Sequence, residues 1–161
     1  MNSIQIRKME PGDIPAVAAL EREIFSEPWG VKGFSDALAQ DNTIFLTARS
    51  PDGGIAGFAG LYAAADECEI TNVAVAEEYR CRGIATGLLA VLLEQARGHG
   101  VSRFFLEVRV SNQAAVSLYE KFGFRVLKTR KGFYRMPTED ALLMCCVSDS
   151  REMRDDNRAC P

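Results

Sequence analysis

The sequence predicts an α/β domain of the α+β type, with a mixed, mostly antiparallel central sheet of about seven strands flanked by about four helices. Three observations support this prediction. Short runs alternate apolar and polar side chains, as β-strands do, and longer runs repeat apolar residues at helical spacing. Three strand-like runs follow one another with only short turns between them, which is typical of antiparallel pairing. With 161 residues, of which 47% are apolar, the chain is large enough for one domain with a real core.

The first part of the chain predicts one strand and two helices. Residues 4–6 alternate isoleucine with a polar side chain, and residues 11–13 supply a turn and a helix N-cap. Apolar side chains then recur at helical spacing over residues 14–25. A second helix is predicted over residues 31–39, after a loop in which Pro28 disfavours helix in the preceding residue.

The middle of the chain predicts three strands. Residues 43–48 change to a period of two, residues 51–54 read Pro-Asp-Gly-Gly and form a tight turn, and residues 55–63 are the hairpin partner. Another strand follows over residues 68–75, after a polar pair. An antiparallel meander is the expected arrangement.

The last part alternates helices and strands. Residues 83–98 carry two adjacent rows of aliphatic side chains, which predicts a helix with a broad apolar face. Residues 104–108 indicate a buried strand and residues 112–122 a short helix. Residues 124–129 and 141–147 complete the sheet.

Composition narrows the possible partners and the compartment. The chain has 19 basic and 22 acidic residues and no block of lysine and arginine, so nucleic acid is not an expected partner. Nor does any run of 18 apolar residues or an amino-terminal apolar centre predict a membrane span or a secretory signal. We expect a cytoplasmic protein of one domain, residues 1–147, followed by a charged, disordered tail, residues 148–161.

The cysteine pattern predicts neither disulfides nor a metal site. Their number is odd, two are adjacent, and none shows metal-ligand spacing with the single His99. We expect reduced thiols at all of these positions: Cys68, Cys81, Cys145, Cys146 and Cys160.

A glycine-containing loop joins the strand that ends at Val75 to the helix that begins at Gly83. Such a loop leaves unpaired backbone N–H groups at the helix start, where a pyrophosphate can bind, and Arg80 and Arg82 add positive charge. From spacing alone, a solvated turn before a core helix is an equally good interpretation.

The run Arg80-x-x-Gly83-x-Ala85 resembles the acetyl-coenzyme A signature Q/R-x-x-G-x-G/A of the GNAT superfamily of N-acetyltransferases. The predicted element order is also that superfamily's, over roughly residues 4–147. The resemblance implies the GNAT fold and acetyl-CoA as co-substrate. It implies that backbone groups of Val73, Ala74 and Val75 pair with the pantetheine arm. The pyrophosphate would be held by the amides of Cys81, Arg82, Gly83, Ile84, Ala85 and Thr86, and amide binding does not depend on the unusual side chain of Cys81.

Residues 106–124 resemble one subfamily closely, the ribosomal-protein-alanine N-acetyltransferases of the RimI type, whose corresponding run is L-E-V-R-x-S-N-x-A-A-x-x-L-Y-x-x-x-G-F. The resemblance implies acetyl transfer to the amino-terminal alanine of a ribosomal protein, by direct attack within a ternary complex and without a metal. Two alternatives remain open. One is another protein amino terminus or a small amine as acceptor, and the other is a non-catalytic acetyl-CoA-binding module.

Glu107 projects from an otherwise apolar strand, on the face it shares with Phe105 and Arg109. An ion pair with Arg109 would explain its presence. A general base is the alternative, because acetylation needs a neutral amine and a carboxylate can take its proton. The resemblance implies that Glu107 is the general base.

Asn112 and Tyr119 are seven residues apart and therefore on one face of the predicted helix. A helix start for Asn112 and core packing for Tyr119 are credible interpretations. The resemblance implies that Asn112 bonds the pantetheine arm and that Tyr119 is the general acid for the departing thiolate. It also implies that Trp29 and Tyr134 contact the peptide, although both could serve only for packing.

Overall fold

The computed structural model describes residues 3–147. Within them the chain forms seven strands and four helices in the predicted order, so the predicted fold class is confirmed. The strands are β1 (Gln5–Lys8), β2 (Thr43–Arg49), β3 (Ile55–Ala64), β4 (Glu67–Val75), β5 (Arg103–Arg109), β6 (Arg125–Tyr134) and β7 (Glu139–Val147). The helices are α1 (Ile14–Ile24), α2 (Gly30–Leu38), α3 (Ile84–Gly98) and α4 (Gln113–Lys121). The predicted tail, residues 148–161, lies outside the described residues.

The strands form one mixed sheet in the order β1-β2-β3-β4-β5-β7-β6. All neighbouring pairs are antiparallel except β4 and β5, which are parallel. The helix α3 connects these two strands, because a parallel pair needs a crossover connection. A boundary between the antiparallel and parallel parts therefore lies in the middle of the sheet.

Helices cover both faces of the sheet. On one face, α1 and α2 pack through a cluster that contains Val17 and Phe34. On the other face, the aliphatic rows of α3 and the inner side of α4 pack through a larger cluster that contains Leu88 and Val116. These two layers bury the apolar faces that the sequence pattern predicts. No helix within residues 3–147 is long and apolar enough to cross a membrane.

A β-bulge at Thr71 changes the direction of β4. Asn72 pairs with Gly60 of β3 and Ile70 pairs with Leu61, so Thr71 is the extra residue. The parallel pairing of β4 with β5 ends at the same point, where Ile70 lies opposite Leu106. Beyond it the two strands have no further pairs, and a gap opens between their carboxyl-terminal halves.

One local prediction was wrong. The sixth strand extends to Tyr134 rather than ending at residue 129, because its pairing with β7 is irregular between Arg130 and Tyr134, beyond the regular part that the pattern predicts. Asp13 is the N-cap residue of α1, as predicted, but its side chain makes no capping hydrogen bond. Its buried carboxylate accepts from the Glu10 N–H and forms an ion pair with Arg49.

Candidate active site

Two cavities lie beside the gap between β4 and β5, and the larger of these has a volume of about 560 Å³. The α1–α2 loop, the β6–β7 turn and α4 complete its wall. This larger cavity brings together side chains that are far apart in the sequence. The predicted site residues that line it are Trp29, Val73, Glu107, Asn112, Tyr119 and Tyr134.

Glu107 presents a mostly buried carboxylate to the larger cavity. Its side chain is 16% exposed, and its Oε2 atom has no hydrogen-bond partner within residues 3–147. Burial raises the pKa of Glu107, and the nearby Glu69 acts in the same direction, whereas Arg130 and Lys128 lower it. A carboxylate whose pKa is raised toward neutrality is a better proton acceptor than an ordinary surface glutamate.

The ion pair that Glu107 forms is with Arg130 and not with Arg109. The Arg130 Nε atom lies 3.8 Å from Glu107 Oε2, and it comes from β6, two strands away from β5. An ion pair of Glu107 with Arg109 is therefore not what the structure contains. The distance is long for a hydrogen bond, so the carboxylate stays open to another partner.

Arg109 instead joins the two loops that form the mouth of the larger cavity. Its guanidinium donates to the backbone oxygens of Pro137 and Arg135, both at 3.0 Å, and to Ser26 Oγ at 3.1 Å. It also stacks over the Tyr134 ring, with the guanidinium carbon 4.5 Å from the ring centroid. A planar guanidinium can donate several hydrogen bonds in its plane while one of its faces stacks on an aromatic ring.

Trp29, at the end of the α1–α2 loop, and Tyr134, the last residue of β6, both line the larger cavity. The Trp29 indole is half-exposed and packs against Phe34 and Tyr62, so it belongs both to the core and to the cavity wall. Burial raises the pKa of Tyr134 to about 12, and Glu107 contributes to the increase. The phenol of Tyr134 is therefore a neutral hydrogen-bonding group at neutral pH.

The smaller cavity, of about 330 Å³, lies on the other side of the gap. Val73, Ala115 and Tyr119 line both cavities, so the two meet at these side chains. The predicted coenzyme residues that line the smaller cavity are Val73, Ala74, Val75, Cys81, Gly83, Ile84, Ala85 and Thr86. Asn112 does not line it, and its side-chain oxygen accepts from the Ala115 N–H at 3.2 Å as a helix cap.

The start of α3 contributes backbone N–H groups beside the smaller cavity. Gly83 adopts a left-handed conformation, with φ of 78°, immediately before α3. The first intrahelical bond runs from the Gly87 N–H to the Gly83 oxygen, so the N–H groups of residues 84–86 have no acceptor within the helix. Unpaired N–H groups of this kind at a helix start can bind an anion. Arg82 does not line the cavity, and its guanidinium lies over the Tyr79 ring at 5.4 Å.

Comparison with known proteins identifies this arrangement. The model of the acetyltransferase (GNAT) family matches residues 14–124, which is more than half of the chain. The chain belongs to the GNAT acetyltransferase family. This confirms the resemblance that the sequence motifs predict.

Relatives of this GNAT enzyme include two named bacterial proteins. The chain is 34% identical to the ribosomal protein bS18-alanine N-acetyltransferase of Escherichia coli K12, over 89% of this chain and 96% of that one. It is also 34% identical to the N-alpha-acetyltransferase RimI of Mycobacterium tuberculosis H37Rv, over 88% of this chain and 90% of that one. The chain is therefore an N-acetyltransferase, and a non-catalytic binding module is not favoured.

A solved structure also resembles the whole domain. The crystal structure of the ribosomal-protein-S18-alanine N-acetyltransferase from Escherichia coli superposes with a TM-score of 0.83 at 31% identity, covering 92% of this chain and 95% of that chain. The mixed sheet and its flanking helices are thus the family's fold. Acetyl-CoA is the acyl donor that this family uses.

The end of β4 has free backbone positions beside the smaller cavity of the GNAT chain. Val73, Ala74 and Val75 pair with β3 on one side, and on the other side β4 has already parted from β5. The Ala76 N–H bonds to Ala56 of β3, and neighbouring N–H groups of a strand point to opposite sides. The N–H of Val75 therefore points into the gap, where an extended ligand could pair with it.

Glu21 is a buried residue of the larger cavity that the sequence did not single out. It is 2% exposed, although it lies on α1, a helix that covers one face of the sheet. The signal was present, because Glu21 occupies a position in the apolar stripe of α1 between Leu20 and Ile24. A charged residue in such a stripe indicates either a buried partner or a functional group.

No group of three or more potential metal ligands occurs within the described residues. Of the four cysteines in this part of the chain, Cys68, Cys145 and Cys146 are buried and Cys81 is exposed. Cys160 lies outside the described residues.

Proposed function

We propose that this enzyme transfers an acetyl group from acetyl-CoA to the α-amine of a ribosomal protein whose first residue is alanine. The names of the relatives at 34% identity support the acceptor class. The observation that carries the chemistry is the meeting of two cavities at Tyr119, with the buried carboxylate of Glu107 in the larger one. The larger cavity would receive the peptide and the smaller one the coenzyme.

Acetyl-CoA supplies an acyl group activated as a thioester. In the proposal, Val73, Ala74 and Val75 hold its pantetheine arm through backbone groups, as an added strand would be held. The N–H groups at the start of α3 hold the pyrophosphate, from Cys81, Arg82, Gly83, Ile84, Ala85 and Thr86. Asn112 contributes its side-chain amide to the same arm, although its oxygen also caps α4.

Glu107 acts as the general base in this proposal. Its raised pKa and its open Oε2 atom support the role, because the group must accept a proton from an ammonium that enters the larger cavity. A proton on an α-amine, with a pKa of about 7.7–8.0, is released more readily than one on lysine, whose pKa is roughly 10.4. This difference favours an amino terminus over a lysine side chain.

Tyr119 acts as the general acid, and the Val75 N–H stabilises negative charge on the carbonyl oxygen. Tyr119 is 8% exposed, and burial raises the pKa of its phenol, so the group stays protonated until a thiolate develops beside it. Its position between the two cavities is consistent with contact to both substrates. Trp29 and Tyr134 would contact the first residues of the peptide.

We propose that residues 1–147 make up the catalytic domain and that residues 148–161 are a charged tail. The expected compartment is the cytoplasm, where an enzyme of this kind meets newly made ribosomal proteins. Nucleic acid and membranes are not expected to contact it directly, and no metal is expected to take part.

The acceptor is tested with synthetic peptides that differ only in the first residue, incubated with isotopically labelled acetyl-CoA and analysed by mass spectrometry. The expected result is acetylation of the free α-amine, fastest for alanine. Peptides with a blocked amino terminus and an internal lysine are the control. Preference for the lysine side chain, or for a small amine over every peptide, would contradict the proposed acceptor.

A further inference from the structure

We infer that Glu21 is a positioning residue, which fixes the α1–α2 loop against the bulge of β4 and so sets the width of the larger cavity. This inference rests on the proposed function, since it assumes that the larger cavity receives the acceptor. It concerns a residue that lies on α1, outside the strand and helix that carry Glu107 and Tyr119.

Both oxygens of the Glu21 carboxylate are engaged. Oε2 accepts from the Trp29 backbone N–H at 2.6 Å, and Oε1 accepts from Asn72 Nδ2 at 2.5 Å. Burial raises the pKa of Glu21, and the two hydrogen bonds oppose that increase. The group is therefore held as a two-sided acceptor between two other elements.

The bond to Asn72 depends on the bulge at Thr71. Thr71 Oγ1 donates to Asn72 Oδ1 at 2.5 Å, so the amide nitrogen of Asn72 is directed at Glu21. In a regular strand Asn72 would share a face with Ile70, which packs in the layer of α3. The extra residue places Asn72 on the opposite face, toward α1.

The bond to Trp29 fixes the other wall of the cavity. Trp29 ends the α1–α2 loop, and its N–H donates to Glu21, eight residues earlier in the chain. The indole packs against Phe34 and Phe45 and lines the larger cavity. Glu21 thus connects the loop that faces the acceptor to the strand that precedes the coenzyme-binding segment.

The role that follows is one of hydrogen-bond geometry. A glutamine at position 21 can still accept from the Trp29 N–H through its oxygen. Its amide nitrogen can donate to Asn72 if the Asn72 amide turns over, and the Thr71 hydroxyl can then accept. An alanine removes both bonds and leaves two buried donors without an acceptor. E21Q should therefore retain the hydrogen bonds to Trp29 and Asn72 that E21A loses.

The kinetic test compares E21A, E21Q and the control E23Q, which removes an exposed carboxylate from the same helix. We expect E21A to lower kcat with an alanine peptide roughly 10- to 100-fold, because a small misplacement of one substrate has that effect. The KM for acetyl-CoA should not change, because Val73, Ala74 and Val75 stay paired with β3. E21Q should restore most of kcat, and E23Q should match the wild type.

A second measurement needs no acceptor. Trp29 is the only tryptophan of the chain, so intrinsic fluorescence reports the position of the loop. We expect E21A to shift the emission to longer wavelength and to increase acrylamide quenching, with E21Q and E23Q close to the wild type. Binding of coenzyme A, measured by calorimetry, shows that each variant is folded.

The combined outcomes decide the inference. Loss of kcat together with a fluorescence shift in E21A, both reversed in E21Q, supports it. Wild-type kinetics in folded E21A overturns it, and so does a kinetic loss without a fluorescence shift, because Glu21 would then act on the substrate directly. Equal loss in E21A and E21Q also overturns it. If the wild type acetylates no amino-terminal peptide, the proposed function fails, and the fluorescence comparison alone decides whether Glu21 positions the loop.

Discussion

The two cavities that meet at Tyr119 are built in different ways. The smaller one is lined mainly by one stretch of chain, from the end of β4 through a left-handed glycine to the first turn of α3, and is completed by α4. The larger one is lined by side chains from α1, the α1–α2 loop, β4, β5, α4 and the β6–β7 turn, several of them ionisable or aromatic. One cavity therefore depends largely on the local conformation of one segment, and the other on the assembly of distant side chains.

This difference predicts how substitutions divide between kcat and KM. Changes in the larger cavity should affect the chemical step, because the proposed function brings its ionisable groups to the reacting atoms. Changes in the smaller cavity should affect coenzyme affinity and should matter only where they alter the backbone. The following predictions test this division, beginning with the largest expected effect.

Replacement of Glu107 by glutamine should cause the largest loss. E107Q keeps the size of the side chain and removes the base, so we expect kcat to fall by about 10²–10⁴-fold. Coenzyme A affinity should stay close to that of the wild type. Steady-state kinetics and calorimetry measure the two quantities. E120Q, an exposed carboxylate on α4, is the matched control, and an active E107Q would exclude the proposed base.

Replacement of Tyr119 by phenylalanine should cause the next largest loss. Y119F keeps the packing against Phe124 and removes only the hydroxyl group. We expect kcat to fall by about 10²-fold, because proton transfer to the leaving group is lost. A donor thioester whose thiol has a lower pKa should be affected less. An equal loss for both donors would contradict the assignment of Tyr119 as acid.

Replacement of Gly83 by alanine should affect binding rather than chemistry. A Cβ at Gly83 meets no atom within 4 Å, so the effect comes from the left-handed backbone, which costs other residues about 1–2 kcal/mol. We expect the KM for acetyl-CoA to rise by up to about tenfold, since 1.4 kcal/mol corresponds to a factor of ten. kcat at saturation should stay the same. G98A, at the other end of α3, is the control.

Replacement of Arg130 should cause the smallest effect, a shift in pH dependence. If Glu107 is the proposed base, it must be deprotonated to act, so we expect activity to be lost as the pH falls through its pKa. Arg130 lowers the pKa of Glu107, and R130Q removes this influence. The acid limb of the kcat/KM profile should therefore move to higher pH. K131Q removes a neighbouring exposed charge and should leave the limb in place, and a shift to lower pH in R130Q would contradict the assignment.

The fold could be predicted because most of its elements have regular patterns. The apolar rows of α3 and the alternation in β5 each depend on residues close together in the sequence. Bulges could not be predicted, since a single extra residue leaves no compositional mark. The end of β6 was also missed, because its pairing with β7 is irregular beyond Arg130.

The part of the candidate site that could be found from the sequence belongs to the smaller cavity, and the part that could not belongs to the larger one. The loop before α3 could be found from a short motif, because Gly83 and its neighbours act within one turn of chain. The partner of Glu107 could not be found, because Arg130 reaches it from β6, which is separated from β5 by β7. Arg109 shares a strand face with Glu107 in the sequence pattern, yet its guanidinium donates to backbone oxygens at the mouth of the larger cavity. The assignments of individual catalytic and binding residues stay predictions until the variants are measured.

The bulge at Thr71 has a consequence for insertions and deletions in this enzyme. Cys68, Ile70, Asn72 and Ala74 are all buried, and in the sequence their alternation is unbroken. Nevertheless Cys68 and Ile70 pack in the layer of α3, whereas Ala74 packs in the layer of α1 and α2. The number of residues in β4 decides this change of face, whereas the hydroxyl of Thr71 orients the Asn72 amide once the face is set. Loss of one residue from β4 would therefore exchange the two faces beyond the bulge and separate Asn72 from Glu21.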